Sequence, residues 1–366
     1  MKILLLLPAL VRGGAERVAI ELAGQWKEKH DVLLATLWEH YPRYDSPVPV
    51  RSLGNNLPRS FCGRIASATR RIWQLRGLFL QEQPDAIVSF LEAASLPAVL
   101  AARLAGMHTR LVVTVRNDFR THRPAIRLLM RLLYPGVRTA APSRQLVELL
   151  IAARIARVSR ARVLPNPLIV PRVEDTCPPE LPQSYILGMG RLVPQKDFPL
   201  LIRAYASALE KAQLPDLVIA GEGPDKEPLL ALTRRLGLGS RVFFPGFVED
   251  TPTLLRRAEL FVLTSRHEGW PQVLMQALAA GCPAISVDCD TGPREILENG
   301  TFGLLLRERT PHAVADAILR AMGNRQFREE MRRAGPRRAA SFKARLVAAE
   351  WVSALRSPDW DSDAAQ

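Results

Sequence analysis

Lys2-Ile3-Leu4-Leu5-Leu6-Leu7-Pro8-Ala9-Leu10-Val11-Arg12-Gly13-Gly14-Ala15-Glu16-Arg17 opens the chain. An apolar run, a glycine pair and then helix-compatible sequence from Val18 to Trp26 is how a buried parallel strand turns into a helix. Lys2 ahead of a leucine run also has the shape of a signal-peptide start, but no A-x-A-like cleavage site follows it. Lys2–Leu7 therefore reads as the first strand of an α/β domain. Further strands are expected at Val32–Thr36, Ala86–Phe90, Leu111–Val115, Tyr185–Met189, Leu217–Ala220, Val242–Phe244, Leu260–Leu263 and Ala284–Val287. Each is short, rich in Val, Ile, Leu or Phe, and followed by helix-length sequence, the rhythm of doubly wound parallel sheets.

Length fits the same picture. The 366 residues exceed what one core usually serves, so two domains of ~150–200 residues are expected. Leu164 to Pro182, punctuated by Pro165, Pro167, Pro171, Pro178, Pro179 and Pro182, is the natural linker. It separates residues 1–168 from residues 169–343, with a helix over 344–358 and a frayed tail after it, 359–366. Two Rossmann-like domains with a cleft between them follow, and such sheets bind ligands at the carboxyl ends of their strands. A composition of 48% hydrophobic and 23% charged residues excludes the disordered, collagenous and coiled-coil classes. The opening apolar run, Ile3 to Val11, falls short of the roughly 18–20 residues that a membrane span needs. Cys62, Cys177, Cys282 and Cys289 form no CxxC pair, as expected of reduced thiols in a cytosolic protein.

The charge is one-sided. Residues 1–168 hold 25 Lys and Arg against 11 Asp and Glu, whereas residues 169–366 hold 25 of each. A basic half points to a nucleic acid, an anionic membrane or an acidic ligand, with an Arg-rich codon bias as the bland alternative. Between Arg59 and Gln81, Phe61, Ile65, Ala68, Ile72, Leu75 and Phe79 form a helical stripe, with Arg59, Arg64, Arg70, Arg71 and Arg76 mostly off it. Arg123, Arg127 and Arg131 surround Ile126, Leu129 and Leu132 in a second segment. Basic amphipathic helices lie on anionic membranes, although both stripes could equally face the core with their arginines solvated. Nucleic acid is disfavoured because no reader motif or interleaved aromatic residue accompanies the charge.

Loops after strands in the second half carry the chemistry. Gly190-Arg191-Leu192-Val193-Pro194-Gln195-Lys196-Asp197 places two cations on a glycine-led loop before a helix, a plausible diphosphate clamp. Gly221-Glu222-Gly223-Pro224 is a tight turn through which backbone can approach a ligand. In Leu263-Thr264-Ser265-Arg266-His267-Glu268-Gly269-Trp270-Pro271-Gln272-Val273-Leu274-Met275-Gln276-Ala277, a strand ends and a helix begins near Pro271. The start of that helix is an anion site, Glu268 an acceptor for sugar hydroxyls, and Gln276 within reach of a hydroxyl pair.

Glu268-Gly269-Trp270-Pro271 through Gly281-Cys282-Pro283, then Gly292-Pro293-Arg294-Glu295-Ile296-Leu297, resemble the signature of glycosyltransferase family 4. The other two loops and Arg12-Gly13-Gly14-Ala15-Glu16 match in order along nearly the whole chain. The resemblance implies the GT-B fold, two facing Rossmann-like domains with parallel sheets. It also implies a retaining hexosyl- or N-acetylhexosaminyltransferase with a nucleotide-sugar donor, UDP-linked by family frequency, and no cofactor or obligatory metal. Carried over by position, the catalytic residues are Arg191 and Lys196, which neutralise the departing diphosphate, and Glu268, which holds hexose hydroxyls. Donor binding is further assigned to Gly13, Gly14, Gly190, Glu222, Phe247, Gly269, Trp270, Pro271, Gln272, Val273 and Gln276. The helix around Ala348–Leu355 resembles the family's terminal helix, which crosses back to the first domain.

Two positions depart from the pattern. The family's second glutamate is Gln276 here, and an amide pairs with a ribose diol less symmetrically than a carboxylate. Many relatives carry a His after the strand matching Leu111–Val115, where this chain has Arg116-Asn117-Asp118. That variant resembles the branch extending polyprenyl-linked or capsular glycans. It makes Glu16, Arg116 and Asn117 acceptor-binding candidates and Asp118 the nearest candidate base. Asp288-Cys289-Asp290 has the shape of a metal-binding DxD, but the resemblance places no metal there. His267 reads as a loop residue, His108 and His122 have no evident partner, and Met130, Trp73 and Trp351 read as packing residues.

The expected protein is a cytoplasmic transferase, peripheral on the cytosolic face of a membrane. Its partners are a nucleotide-sugar and a glycan or polyprenyl-diphosphate-linked acceptor in surface polysaccharide or glycoconjugate assembly. A nucleotide-sugar-binding protein with reduced or lost catalysis is the alternative. A dinucleotide-dependent oxidoreductase lacks its G-x-G-x-x-G.

Overall fold

The computed structural model describes residues 1–366 apart from 12, 39–44, 56–60, 172–179, 358–359 and 361–366, and leaves out the side chains at 55 and 61–66. Arg12, Arg59, Cys177, Pro178, Pro179 and Asp359 lie outside the described residues, as do the side chains of Phe61, Cys62, Arg64 and Ile65. Contacts divide the chain into two units, Met1–Pro167 with Ala344–Gln366, and Leu168–Lys343.

The first unit runs β1 (Lys2–Leu7), α1 (Gly14–Trp26), β2 (Asp31–Trp38), β3 (Val50–Asn55), α2 (Phe61–Glu82), β4 (Ala86–Phe90) and α3 (Glu92–Leu104). It continues through β5 (Leu111–Thr114), α4 (Pro124–Leu133), β6 (Arg138–Ala141), α5 (Arg144–Ala152) and β7 (Ala161–Val163). The second unit begins with β8 (Tyr185–Met189), α6 (Phe198–Leu209), β9 (Asp216–Ala220), α7 (Lys226–Arg235), β10 (Val242–Gly246), α8 (Thr251–Arg257) and β11 (Ala258–Leu263). It ends with α9 (Gln272–Ala279), β12 (Ala284–Val287), α10 (Pro293–Ile296), β13 (Leu304–Leu306), α11 (Pro311–Gly323) and α12 (Arg325–Ala340). Last, α13 (Ala344–Arg356) belongs to the first unit.

Among the described residues the strands form two parallel sheets, ordered β3-β2-β1-β4-β5-β6-β7 and β10-β9-β8-β11-β12-β13. Helices cover both faces of such sheets, so their central strands are apolar on both sides. Ile3 to Leu7 and Ile186 to Leu187 are at most 1% exposed. In each sheet the order reverses beside its first strand, between β1 and β4 and between β8 and β11. Loops leaving such a reversal diverge to opposite faces and open a crevice at the carboxyl edge.

Four strands were not anticipated from sequence. β3 and β7 are edge strands carrying arginine, β13 is a three-residue edge strand, and β6 (Arg-Thr-Ala-Ala) lacks large apolar residues. An edge strand needs less burial, and its weak pattern reflects that. Trp73 proves 56% exposed on α2 rather than packed, while Leu75 and Phe79 of the same helix are buried in the core.

Leu168 donates its N–H to Phe342 O at 2.7 Å, so the chain enters and leaves the second unit at neighbouring points. On α13, fully buried Trp351 meets Trp26 with ring centroids 6.5 Å apart and donates to Pro165 O at 3.2 Å, and Trp26 donates to Ala348 O at 3.0 Å. The expected frayed tail contains an ordered anchor. Trp360 is 2% exposed, donates to Arg160 O at 2.9 Å, and has Arg138 and Arg162 over its ring.

Candidate functional site

The reversal between β8 and β11 brings together the two loops that carry the second unit's cations and carboxylate. Lys196 Nζ donates to Glu268 Oε1 at 2.5 Å, with side chains 16% and 8% exposed. Ser265 Oγ donates to the same oxygen at 2.7 Å. A nearly buried carboxylate is tolerable only when paired and hydrogen-bonded, and both conditions are met here. Backbone bonds lace the two loops: Arg266 N to Gln195 O at 2.7 Å, and Thr264 Oγ1 to Lys196 O at 3.0 Å. Gln195 Nε2 adds a bond to His267 O at 2.8 Å, and Thr291 Oγ1 donates to Glu268 O.

Arg191, at the head of the β8 loop, is exposed. The third loop, Gly221-Glu222-Gly223-Pro224, touches the first backbone to backbone. Gly221 has φ +142, and a Cβ there would collide with the Gly190 carbonyl oxygen. Leu192 N accordingly donates to Glu222 O at 2.8 Å. At the start of α9, Pro271 is the cap residue, and a proline side chain has no acceptor with which to cap it. The helix dipole favours an anion at that end. Gly292, at φ +94, lets its loop lie against Pro271 and Gly269, where a Cβ would clash. Glu222 and Phe247 are exposed at the ends of β9 and β10, Phe247 by 54%.

Several expected ligand groups are engaged with the protein itself. Trp270 is buried, with its N–H on Met275 Sδ at 2.9 Å and its ring edge-on to Phe342 at 5.3 Å. Its indole packs the core instead of lining the phosphate end of α9, and Val273 is half-buried against that core. Gln276 Nε2 donates to Ile169 O at 2.7 Å. The amide, expected at a diol, ties α9 to the segment entering this unit, although Gln276 also lines a cavity of about 130 Å³ with Val170, Thr251 and Arg256. Asp288 pairs with Arg294 and Cys289 is buried, and among the described residues no three His, Cys, Asp or Glu side chains converge as a metal site.

In the first unit, α1 starts at the β1 loop with Gly13 as its cap residue and Gly14 exposed. Glu16 is 6% exposed, and a Cβ on Gly13 would collide with its carboxylate. Asn117 is exposed, but its neighbours are committed. Arg116 is buried, with its guanidinium carbon 5.0 Å from both the Phe90 and Trp351 rings, and it donates to Asn166 Oδ1. Burial pushes it down to about 9, so it remains a cation at neutral pH, held by two aromatic faces. Arg116, which the sequence assigned to the acceptor, thus braces the β5 loop against α13. Asp118, expected as a base, accepts from Arg120 N at 2.9 Å and pairs with the Arg120 guanidinium at 2.6 Å. That role is a turn cap and ion pair.

Reading the sequence missed two pairings. Arg309, in the loop after β13, reaches Asp197. Glu92, two residues past β4, and His122, in the loop after β5, approach to 3.2 Å, an ion pair when the imidazole is protonated. Leu91 before Glu92 has φ 66 and ψ 146, a region other residues leave almost wholly to glycine, at a cost of about 1–3 kcal/mol. Nothing in one sequence announces that strain, and Arg309 went unnoticed because β13 did.

Residues 12–170 match the family model Glycosyltransferase Family 4, and residues 178–338 match Glycosyl transferases group 1. The chain belongs to glycosyltransferase family 4. A Campylobacter jejuni relative of this family is 25% identical over 97% of this chain and 98% of its own. It is the GalNAc-alpha-(1->4)-GalNAc-alpha-(1->3)-diNAcBac-PP-undecaprenol alpha-1,4-N-acetyl-D-galactosaminyltransferase. The amylovoran biosynthesis glycosyltransferase AmsD of Erwinia amylovora is 23% identical over 97% of this chain and 99% of its own. Among solved structures, Anabaena HepE in complex with UDP superposes with a TM-score of 0.78, at 20% identity, covering 97% of this chain and 99% of that one. The fold of this family 4 glycosyltransferase is GT-B.

Two outcomes follow from the geometry. Gln276→Glu places an acceptor against the Ile169 carbonyl and is expected to destabilise the protein by about 1–3 kcal/mol in denaturant unfolding. Unchanged stability would show that the tie is dispensable. The Glu92 contact raises the His122 pKa, with partial burial opposing it and Asp118 assisting. The folded state then holds that proton more tightly, so the pair's contribution is complete below about pH 6.5 and fades as pH rises through the raised folded value. Wild type should lose melting temperature across that window relative to Glu92→Gln, whereas parallel profiles would contradict the pairing.

Proposed function

We propose that this chain transfers a hexosyl or N-acetylhexosaminyl group from a nucleoside-diphosphate sugar, UDP-linked by preference, with retention of anomeric configuration and without a metal. The acceptor is a polyprenyl-diphosphate-linked or other glycan at the cytosolic face of a membrane, in assembly of a surface polysaccharide or glycoconjugate. The observation that carries the reading is the Lys196–Glu268 pair at the strand reversal, with Arg191 on the Lys196 loop and the start of α9 following Glu268. Cations and helix N–H groups placed beside a departing diphosphate stabilise its charge, the part a metal plays elsewhere. Glu268 then faces sugar hydroxyls, and exposed Phe247 offers a face for the base. The relatives named above support a lipid-linked or polysaccharide acceptor, and HepE with its UDP supports the nucleotide.

Membrane attachment is part of the same reading. α4 carries Leu128, Leu129 and Leu132 at 57%, 45% and 65% exposure, between Arg123, Arg127 and Arg131. An apolar face ringed by cations suits an anionic surface, each cation adding ~1 kcal/mol near it. Among the described residues no helix is long and apolar enough to cross a membrane. Loss of catalysis with retained nucleotide-sugar binding is the second reading, favoured by the Gln276 tie to Ile169.

A melting-temperature screen against nucleoside diphosphates and their sugars tests the donor, because a ligand of the folded state raises the midpoint by mass action. UDP should raise it equally with and without a chelator, and Lys196→Ala should abolish most of the rise. No response to any nucleoside diphosphate would overturn the donor reading, and a response lost to chelator would overturn metal independence. Transfer assays with a short prenyl-diphosphate glycan separate the enzyme from the binding-only alternative. Flotation with phosphatidylglycerol vesicles should carry the protein upward, and Leu129→Glu with Leu132→Glu should leave it in the load. Flotation unaffected by those changes would assign the membrane to another surface.

A further inference from the structure

Asp197 follows Lys196 directly and adopts φ 47 and ψ 47, left-handed backbone that a glycine takes without strain. It also occupies the cap position of α6, where an aspartate ordinarily accepts a hydrogen bond from the helix's first turn. Here it makes no such bond. Aspartate visits this backbone region more readily than most residues, but with no cap bond to make, its carboxylate is left to other partners. Its oxygens, 7% exposed with the residue, take the Arg309 guanidinium and face Arg266 Nη2 at 3.4 Å.

We propose that Asp197 and Arg309 are a positioning pair for the diphosphate site, holding the turn from which Lys196 reaches its ligand. The proposal rests on the donor reading above. Three strand-end loops meet at this turn. The β11 loop fixes its backbone, with Thr264 Oγ1 bonded to the carbonyls of Lys196 at 3.0 Å and Asp197 at 3.2 Å. Glu268 fixes the tip of Lys196 at 2.5 Å. The β13 loop fixes the remaining side through Arg309, which stands just before Thr310, the cap of α11. α11 packs on α6, so the arginine and the turn sit at adjacent helix starts. Without the carboxylate, the turn retains its bonds to Thr264 but loses its hold on the third loop, and Lys196 is free to swing with it.

The proposal makes a prediction opposite in sign to simple electrostatics. Removing an anion beside a diphosphate site should tighten diphosphate binding by charge alone. A positioning role requires the reverse. Calorimetric titration with UDP and UMP, or with GDP and GMP if guanosine is the accepted base, reads the difference. Asp197→Asn and Asp197→Gly are expected to lose about tenfold in diphosphate affinity while the monophosphate stays within about twofold. Asp197→Gly also relieves the left-handed strain, so its melting temperature should hold and misfolding is controlled. Arg309→Gln should lose diphosphate affinity in the same sense, and the Asp197→Gly, Arg309→Gln double variant should be no worse than Asp197→Gly, because the carboxylate's removal already breaks the Arg309 contact along with the longer one to Arg266. Unchanged or tighter diphosphate binding by the Asp197 variants overturns the proposal, as does an equal loss for mono- and diphosphate. A wild-type protein that binds no nucleoside diphosphate overturns the donor reading itself, and the pair's role with it.

Discussion

The Lys196–Glu268 pair is the contact on which the second unit's site depends. A lysine and a glutamate that are both largely withdrawn from water are a liability apart. Each is compensated by the other, by Ser265 and by the backbone bonds that hold their loops together. The sheet makes this possible. Because β8 and β11 are neighbours at the reversal of strand order, a loop from the start of the unit and one from its middle leave the carboxyl edge side by side. A ligand carrying both a diphosphate and a polyol can replace the pair's mutual interaction by satisfying each partner with its own chemistry. That is what a nucleotide-sugar offers.

The first unit uses its charges differently. Arg116 is held between Phe90 and Trp351, Asp118 within its own turn by Arg120, and Glu92 against His122. These groups fix the loops at the carboxyl edge of β4 and β5 and fasten α13, so much of the local polarity is structural. The arginines of α4 are instead displayed around exposed leucines. Structural and surface cations are therefore separable in a half whose net charge alone suggested one purpose for all of them.

Much of this was legible from sequence because parallel strands buried on both faces announce themselves. Ala86–Phe90, Tyr185–Met189 and Ala284–Val287 run over the residues the apolar pattern marks. Edge strands such as β3 and β13 do not, since half their surroundings are not core. The loops that carry Arg191, Lys196 and Glu268 were placed from sequence because each follows a strand that announces itself. What sequence could not supply was which polar groups the fold consumes. Trp270, Gln276, Arg116 and Asp118 have the chemistry of ligand-binding residues, yet each is engaged by a partner far along the chain or in its own turn. Asp197–Arg309 is invisible for the same reason, as its partners lie 112 residues apart.

The central claim is that the strand reversal in the second unit is the nucleotide-sugar site. A crystal structure of the protein with an intact nucleotide-sugar, or with the nucleoside diphosphate and free sugar, tests it most directly. The diphosphate is expected within hydrogen-bond reach of Arg191 and Lys196 at the start of α9, with Glu268 turned from Lys196 to the hexose hydroxyls. A nucleotide seated elsewhere, with the Lys196–Glu268 pair intact, would contradict it.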